Sequence, residues 1–523
     1  FVVCETMANN KVYELKAETE LRIELSDDVN TEIVNIQLLS GSAEIFGVPF
    51  PEEKTFTWGQ GDKIAIFTWY GCQLRVSGLQ PEGLSEVYIA EETPLLSYVN
   101  THVQLEARRD HAASILSRAV KEGESDGGKY ISVDSTGMLQ PIATGPRIIV
   151  CGPVDSGKSV LCNYLTSCAV RVGRTPLFVE LDPSVGDIGI PGSISVGVVD
   201  AHSLSLRERL EHVHPVSFWY GSKSPTDNVP LFQAQLTQLA SAIDQRFAHD
   251  DSTASAGFIA NTSAGLDSGS GYEVLLSTIR TLRADVVLVL GHDRLTQQLK
   301  AAFPPTTYPP VTVIKLPRSG GVVNRTPTTR RIFESRKIRQ YFYGPKKYKA
   351  SVVTNDENTS SSSSTTPIPP ALKPFLTEVP LDKIHLWKFV DDISASTQSG
   401  GMVPVVGSAQ DADPTRLERV DMSIESESKT LLHTLAALMH QTDATTLMPD
   451  QLTSDQFTSS HALDDQTLEK TEAKAIAASN VAGFVVIQSV DMERNTISFL
   501  APCPGKLPST NLILSNSIKW MDS

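Results

Sequence analysis

The stretch Arg147-Ile148-Ile149-Val150-Cys151-Gly152-Pro153-Val154-Asp155-Ser156-Gly157-Lys158-Ser159-Val160-Leu161-Cys162 decides the fold. Its apolar start reads as a buried strand, a glycine-bounded loop follows, and a helix begins at the end. The spacing is Gly, four residues, then Gly-Lys-Ser, the pattern of a phosphate-binding loop. Glycines let the backbone curl and turn its N–H groups toward phosphate oxygens. Lys158 supplies a point charge for the β- and γ-phosphates, and the Ser159 hydroxyl can ligate Mg²⁺. The helix that follows aims its positive end at the anion. The stretch predicts nucleoside triphosphate binding; the plain alternative is an ordinary strand–helix turn.

Working outward, alternating strands and helices fill residues 145–348. Strands are predicted over 147–150, 176–181, 257–261, 285–290 and 311–315, and helices over 158–172, 228–248, 272–282 and 294–302. Such alternation implies a parallel sheet covered by helices on both faces, with nucleotide at the carboxyl ends of the strands. Before it, residues 11–89 read as all-β, with strands at 21–25, 32–39, 43–46, 55–58, 63–69, 73–76 and 86–89. Turn signals separate them, which suggests a small β-sandwich with Trp58 and Trp69 in core or rim packing. A helix is predicted over 94–119, and the polar segment 123–145 reads as a loop or insertion. After the central domain, residues 349–371 hold the run Ser360-Ser361-Ser362-Ser363-Ser364 and three prolines between 367 and 370, a composition expected to be disordered. Late strands at 481–488, 496–500 and 511–514 point to a small, mainly β third domain over 372–523; the acidic, loop-rich 411–466 has no clear element. The expected domains are therefore 1–106, a helical connection and insertion at 107–144, 145–348, the linker 349–371, and 372–523.

Composition narrows the class. With 523 residues and 40% apolar content, the chain can bury cores for about three domains. A net charge of −15 argues against a generally basic nucleic-acid coat, although a local groove could still be basic. The six cysteines (Cys4, Cys72, Cys151, Cys162, Cys168 and Cys503) form no Cys-x-x-Cys pair. Structural zinc is not expected, and a reducing cytosol or nucleus fits. No apolar run reaches the ~18 residues that span a bilayer, and the N-terminus makes a poor signal peptide. The chain opens on Phe1, the natural start is expected nearer Met7, and residues 1–6 carry no weight in this reading.

Two further motifs bear on chemistry. Leu177-Phe178-Val179-Glu180-Leu181-Asp182 is an apolar strand ending in carboxylates. Such a strand is expected beside the phosphate loop, presenting Asp182 to the Mg²⁺ shell, with Glu180 on the same face by alternation; a solvated strand end is the alternative. Further on, Ser319-Gly320-Gly321-Val322-Val323-Asn324-Arg325 precedes Arg330, Arg331, Arg336 and Arg339, five arginines within fifteen residues. A lid of arginines can close over phosphates and stabilise transition-state charge. A basic helix face paired with acidic neighbours is the other reading.

These motifs in series resemble one family. They include Glu18-Thr19-Glu20-Leu21-Arg22, Ala43-Glu44-Ile45-Phe46-Gly47, residues 65–71, Thr93-Pro94 through Asn100-Thr101-His102, the loop 152–159, 179–182, Ile190-Pro191-Gly192, Gly269-Ser270-Gly271-Tyr272, 319–323, 338–344 and Val481-Ala482-Gly483-Phe484-Val485. The chain resembles the pre-mRNA cleavage factor subunits related to polynucleotide 5′-hydroxyl kinases. That family contains the ATP-binding subunit of cleavage factor IA in fungi and of cleavage factor II in animals. The resemblance implies an N-terminal β-domain, a central phosphate-loop domain, a C-terminal domain, and ATP with Mg²⁺. It carries nucleotide contacts onto Glu20, Lys63, Val154, Asp155, Ser156, Gly157, Lys158, Ser159 and Val160, and metal contacts onto Ser159 and Asp182. It also implies a nuclear location and partners among the other cleavage-factor subunits, including the scaffold that binds the RNA polymerase II tail, with RNA contact weak or indirect and no membrane.

Departures from the family pattern matter as much. Active kinases of the family follow the acidic strand with Asp-x-Gly-Gln, whereas this chain has Asp182-Pro183-Ser184-Val185. The Val185 side chain cannot hydrogen-bond, and Pro183 changes the backbone. Active members also place a Trp shortly before Gly-Ser-Gly-Tyr to stack a substrate base; here Asn261 through Asp267 holds no aromatic, with Leu266 near that place. Base stacking is worth ~1–3 kcal/mol. Trp219 lies too far along the chain and is expected in packing. The reading is an ATP-binding scaffold subunit of the mRNA 3′-end cleavage and polyadenylation machinery, with ATP structural and kinase activity lost. The alternative is an active RNA 5′-hydroxyl kinase using Lys158, Asp182 and Arg325 or Arg331; an unrelated nucleotide-driven switch is a third reading.

Overall fold

The computed structural model describes residues 10–26, 33–78, 86–121, 130–133, 139–141, 144–345, 372–390, 417–420, 430–440, 473 and 475–521. The Ser/Pro-rich 349–371 lies outside these residues, as does most of 411–466.

The N-terminal domain is a sandwich of two antiparallel sheets. One orders Lys11–Leu15, Cys72–Ser77, Ile33–Gly41 and Thr55–Gly59; the other orders Val48–Pro49, Glu44–Ile45, Lys63–Thr68, Thr19–Glu24 and Glu86–Ala90. Alternation explains it: in Ile33–Gly41, Val34, Ile36 and Leu38 are buried while Asn35 and Gln37 point outward. These residues pack with Leu21, Ile23, Trp58, Ile66 and Leu74 into a core of the sandwich's own. Strands Lys11–Leu15 and Val48–Pro49 were not anticipated from sequence. Helix α1, Leu95–Lys121, then runs unbroken through residues 106 and 107, where the sequence reading set a boundary, and packs on the central domain. Within 123–145, read as loop or insertion, Tyr130–Val133 pairs with Leu139–Pro141.

The central sheet has seven strands in the order Val216–Trp219, Ser193–Val198, Leu177–Leu181, Phe258–Thr262, Arg147–Cys151, Val286–Leu290, Thr312–Leu316. The five strands predicted from sequence are the parallel ones. Ser193–Val198 and Val216–Trp219 add an antiparallel edge. The chain returns from Leu181 to Ser193 without a helix, and a direct return can only be antiparallel. Ser193, Ser195 and Gly197 dilute the apolar signal there. Helices α2 (Lys158–Arg171), α3 (Val229–His249), α4 (Asp251–Ala256), α5 (Gly269–Thr281), α6 (Asp293–Ala302) and α7 (Pro327–Tyr343) complete this layer. Asp250 ends α3 and caps α4, its carboxylate accepting from the Ser252 and Thr253 N–H groups.

The C-terminal sheet also has seven strands, Phe375–Pro380, Thr496–Ala501, Val481–Asp491, Thr434–Met439, Asn511–Lys519, His385–Phe389 and Leu417–Arg419. Its core is continuous with the central domain: Trp387, Phe484, Ile513 and Trp520 join one cluster with Trp219, Phe232 and Phe342. Trp219 is fully buried against Phe484, as the packing reading anticipated. Cys151, Cys162 and Cys168 are buried and unpaired, with burial pushing the Cys151 and Cys168 thiols up to about 12.

Candidate functional site

At the carboxyl end of Arg147–Cys151 the loop turns on three residues with positive φ: Gly152 (151°), Asp155 (50°) and Gly157 (92°). Gly157 also lies close to Val322, whose Cγ2 stands 3.1 Å from where a Cβ would be. Lys158 is buried and donates to the Gly152 and Pro153 carbonyls at 3.1 and 2.8 Å. Burial lowers its pKa, opposed chiefly by the Asp182 charge. Ser156 Oγ is buried and has no hydrogen-bond partner among the described residues.

The acidic strand Leu177–Leu181 is not the loop strand's neighbour, contrary to the sequence reading: Phe258–Thr262 lies between them. Its Asn261 therefore bridges the two. Asn261 Nδ2 donates to Ser159 Oγ at 3.1 Å and to the Glu180 carboxylate at 3.0 and 3.2 Å. Glu180 also accepts from the Asp182 N–H at 2.9 Å. Full burial pushes the Glu180 carboxyl well above the carboxylate range, and the nearby charges of Asp187 and Asp182 push the same way. Asp182 is raised by burial too, opposed first by the Ser184 hydroxyl; its Oδ1 accepts from Ser184 N, Ser184 Oγ and Ser263 Oγ at 3.1, 2.7 and 3.2 Å.

These groups open into a cavity of about 210 Å³ between the sandwich and the central domain. Its walls bring together Glu20, Lys63, Asp155, Ser156, Gly157, Lys158, Ser159, Val160, Asp182 and Arg325 of the residues anticipated from sequence. Val154 is exposed and does not line it. Arg331 lines only an adjoining cavity of about 430 Å³, which also holds Trp58, Arg207, Arg209 and Phe333. Helical phase decides this: Arg330 is the member of the pair at the loop, its guanidinium 2.6 Å from Asp155. Glu20 is raised by burial, while Arg22 at 2.7 Å holds it the other way; Lys63 pairs with Glu24 at 2.6 Å.

Sequence reading missed Asn261, Arg22 and Tyr98 as site residues, and it named Arg330 in the arginine cluster without singling it out. Asn261 did leave a signal, a polar residue ending an otherwise apolar strand. Arg22 explains Gly321, because a Cβ there would meet the guanidinium Nε at 2.6 Å. Tyr98, from α1, donates to the Pro317 carbonyl at 2.9 Å and closes the wall.

The donor set fits a nucleotide with Mg²⁺. Among the described residues Lys158 donates its hydrogen bonds to its own loop's carbonyls and Ser156 Oγ is unpartnered, and the loop sits at a helix start. Among the described residues no group of three or more His, Cys, Asp or Glu could hold a metal. The Ser159 hydroxyl and Asp182 alone suit a Mg²⁺ that keeps water and phosphate oxygens as its other ligands. Of the two positions that depart from the family pattern, Val185 lines both cavities and Leu266 is buried in the core.

Comparison with known proteins covers the whole chain. The model for the mRNA cleavage and polyadenylation factor CLP1 P-loop matches residues 152–344. That for the N-terminal beta-sandwich domain of polyadenylation factor matches 14–112, and that for pre-mRNA cleavage complex II protein Clp1 matches 372–522. The "Protein CLP1 homolog" of Arabidopsis thaliana is 32% identical, covering 99% of this chain and 95% of its own. The "Polyribonucleotide 5'-hydroxyl-kinase Clp1" of Bos taurus is 31% identical, covering 98% and 96%. A solved wild-type Clp1p–Pcf11p complex shares the fold with a TM-score of 0.69 at 20% identity, over 98% of this chain and 99% of that one. The chain belongs to the Clp1 family of mRNA cleavage factors.

Proposed function

We propose that this protein is a nuclear, ATP-binding scaffold subunit of the machinery that cleaves and polyadenylates mRNA 3′ ends, with ATP·Mg²⁺ held as a structural ligand. One observation carries the reading: the cavity is walled by two domains. Glu20, Arg22 and Lys63 of the sandwich face Lys158, Ser159 and Asp182 of the central domain across it, so one ligand would tie both. In this reading Lys158 and Ser156 bind phosphate, Ser159 and Asp182 hold the metal, and Arg325 with Arg330 covers the phosphates. Bound ATP neutralises the cations gathered there.

The acceptor half supports a binding rather than a transferring role. The Val185 side chain offers no hydrogen bond at the wall, and Leu266 offers no stacking surface. Partners are the other cleavage-factor subunits, with a Pcf11-like scaffold first among them because related structures contain Clp1p with Pcf11p. RNA contact is weak or indirect in this reading. Among the described residues no helix is long and apolar enough to cross a membrane.

The second reading, an active ATP-dependent RNA 5′-hydroxyl kinase, is favoured by the relatives that carry that name and by the intact Lys158, Ser159 and Asp182. Transfer of labelled γ-phosphate to a 5′-hydroxyl RNA oligonucleotide separates the two. The scaffold reading expects no transfer above the Lys158→Ala background, together with ATP copurifying with the protein. Robust transfer that Lys158→Ala abolishes would overturn it.

A further inference from the structure

Both cavities are bordered by α7, and one ring on that helix has an arrangement the phosphate loop does not explain. The Arg325 guanidinium lies 4.7 Å from the Phe333 ring centroid and the Arg336 guanidinium 5.1 Å from it. Arg336 is bonded outward to the sandwich, to Asp62 Oδ1 and the Gln60 carbonyl, each at 2.6 Å. Asp62 is in turn held by the Gly59 N–H at 2.9 Å. Arg325 reaches inward, lining both cavities, while its backbone N–H donates to Asp155 of the phosphate loop at 3.0 Å.

Arg325 needs such support. Burial works first against its charge, and the cations Arg209 and Arg330 nearby work the same way, opposed by the charges of Asp187 and Asp155. Arg330 has the Asp155 carboxylate; among the described residues no carboxylate forms an ion pair with the Arg325 side chain. An aromatic face supplies attraction without an anion, and more when the contact is desolvated. A ring is also rigid, so it fixes where the guanidinium sits.

We propose that Phe333 is a positioning residue that holds Arg325 toward the phosphate cavity and, through Arg336 and Asp62, ties that arginine to the N-terminal sandwich. The proposal rests on the reading of the cavity as an ATP site for its consequence, and on the ring contacts alone for its geometry. It assigns a role to an aromatic that does not stack a base: two guanidinium groups already lie over its ring.

The test compares Phe333→Leu and Phe333→Met, which remove the ring, with Phe333→Tyr, which keeps it, all checked for unchanged nucleotide-free melting. Labelling by an arginine-directed dicarbonyl reagent, read peptide by peptide by mass spectrometry, needs no nucleotide. Arg325 should react several-fold faster in a ring-free variant and at the wild-type rate in Phe333→Tyr, while exposed Arg331, on the same helix, stays constant in all. Calorimetric ATP titration should show about 5- to 30-fold weaker binding for the ring-free variants, and no further loss when the change is made in an Arg325→Ala background. Unchanged Arg325 labelling without the ring, or an equal rise in Phe333→Tyr, overturns the proposal. So does an ATP loss that persists undiminished in Arg325→Ala. If the wild-type protein binds no ATP, the ATP reading of the cavity falls, and the labelling still decides the role of Phe333.

Discussion

The central domain meets its two neighbours by opposite means. Toward the C-terminal sheet it is buried and aromatic: Phe342 stacks on Trp520 at 5.7 Å, Trp219 and Tyr341 pack on Phe484, and Ile518 closes on Gly192. Toward the N-terminal sandwich it is polar and cleft. Arg171 pairs with Glu44 at 2.7 Å, Arg336 with Asp62 at 2.6 Å, and the cavity lies between them. One inner face of the C-terminal sheet shares the central core, while the sandwich keeps its own and sends only Phe67, with Trp69 beside it, into the cluster around Ile148, Leu161 and Tyr164. Burial of apolar area is non-directional and needs no ligand, whereas a seam of charges is weak unless something satisfies it. The contrast shows where a bound nucleotide would matter, which is the seam and not the shared core.

The largest effect should come from breaking the aromatic side. Phe484→Ala leaves Trp219 and Tyr341 facing a void and should cost about 3–5 kcal/mol. In urea unfolding followed by Trp fluorescence, the central and C-terminal regions should lose stability together. Separate transitions, with the central one unmoved, would show that the core is not shared in energy.

On the polar side, Lys158→Ala should remove nucleotide binding and with it the ligand's stabilisation, about 4 kcal/mol when ATP stands ~1,000-fold above its dissociation constant. Limited proteolysis should then find the sandwich and α1 more readily cut, with the C-terminal sheet as resistant as before. Equal protection of the sandwich with and without ATP would mean the ligand does not bridge the seam. A smaller effect is expected of Arg336→Ala, which strips charged hydrogen bonds from Asp62 and Gln60 and should cost about 1.5–3 kcal/mol. Its signature is a lower melting temperature that added ATP only partly restores.

The smallest effect concerns pH. Burial holds the His102 imidazole on α1 below its ordinary pKa, against the pull of Glu106 at 3.8 Å, and Arg109 and Arg171 push the same way as burial. The unfolded state then binds the proton more tightly. Stability is full above about pH 6.5 and falls as pH drops through that value toward the lowered folded one. Replacing His102 with Asn should flatten the urea midpoint between about pH 7.5 and 5.5. An unchanged slope would mean that other groups carry the pH dependence.

Much of this was legible in the residues because the relevant physics is local. A phosphate loop is set by glycines, a lysine and a serine in consecutive positions, and the five parallel strands by runs of apolar side chains. The edge strands Ser193–Val198 and Val216–Trp219 were not legible, since small polar residues interrupt the pattern. Nor were the C-terminal strands Phe375–Pro380 and His385–Phe389, short segments identified as strands only by partners far along the chain. The arginine cluster was visible, but its members were not distinguishable: that Arg330 pairs with Asp155, Arg336 with Asp62, and Arg331 with the outer cavity follows from the phase of α7 and the positions of two other domains.

Local sequence thus carries the three-domain class and the Gly-rich loop with Lys158 and Ser159, because each is a property of neighbours along the chain. The wall that Glu20 and Lys63 contribute, the Asn261 bridge from Ser159 to Glu180, and the core common to the central and C-terminal sheets arise from contacts between residues tens to hundreds of positions apart. Their geometry exists only once the chain has folded.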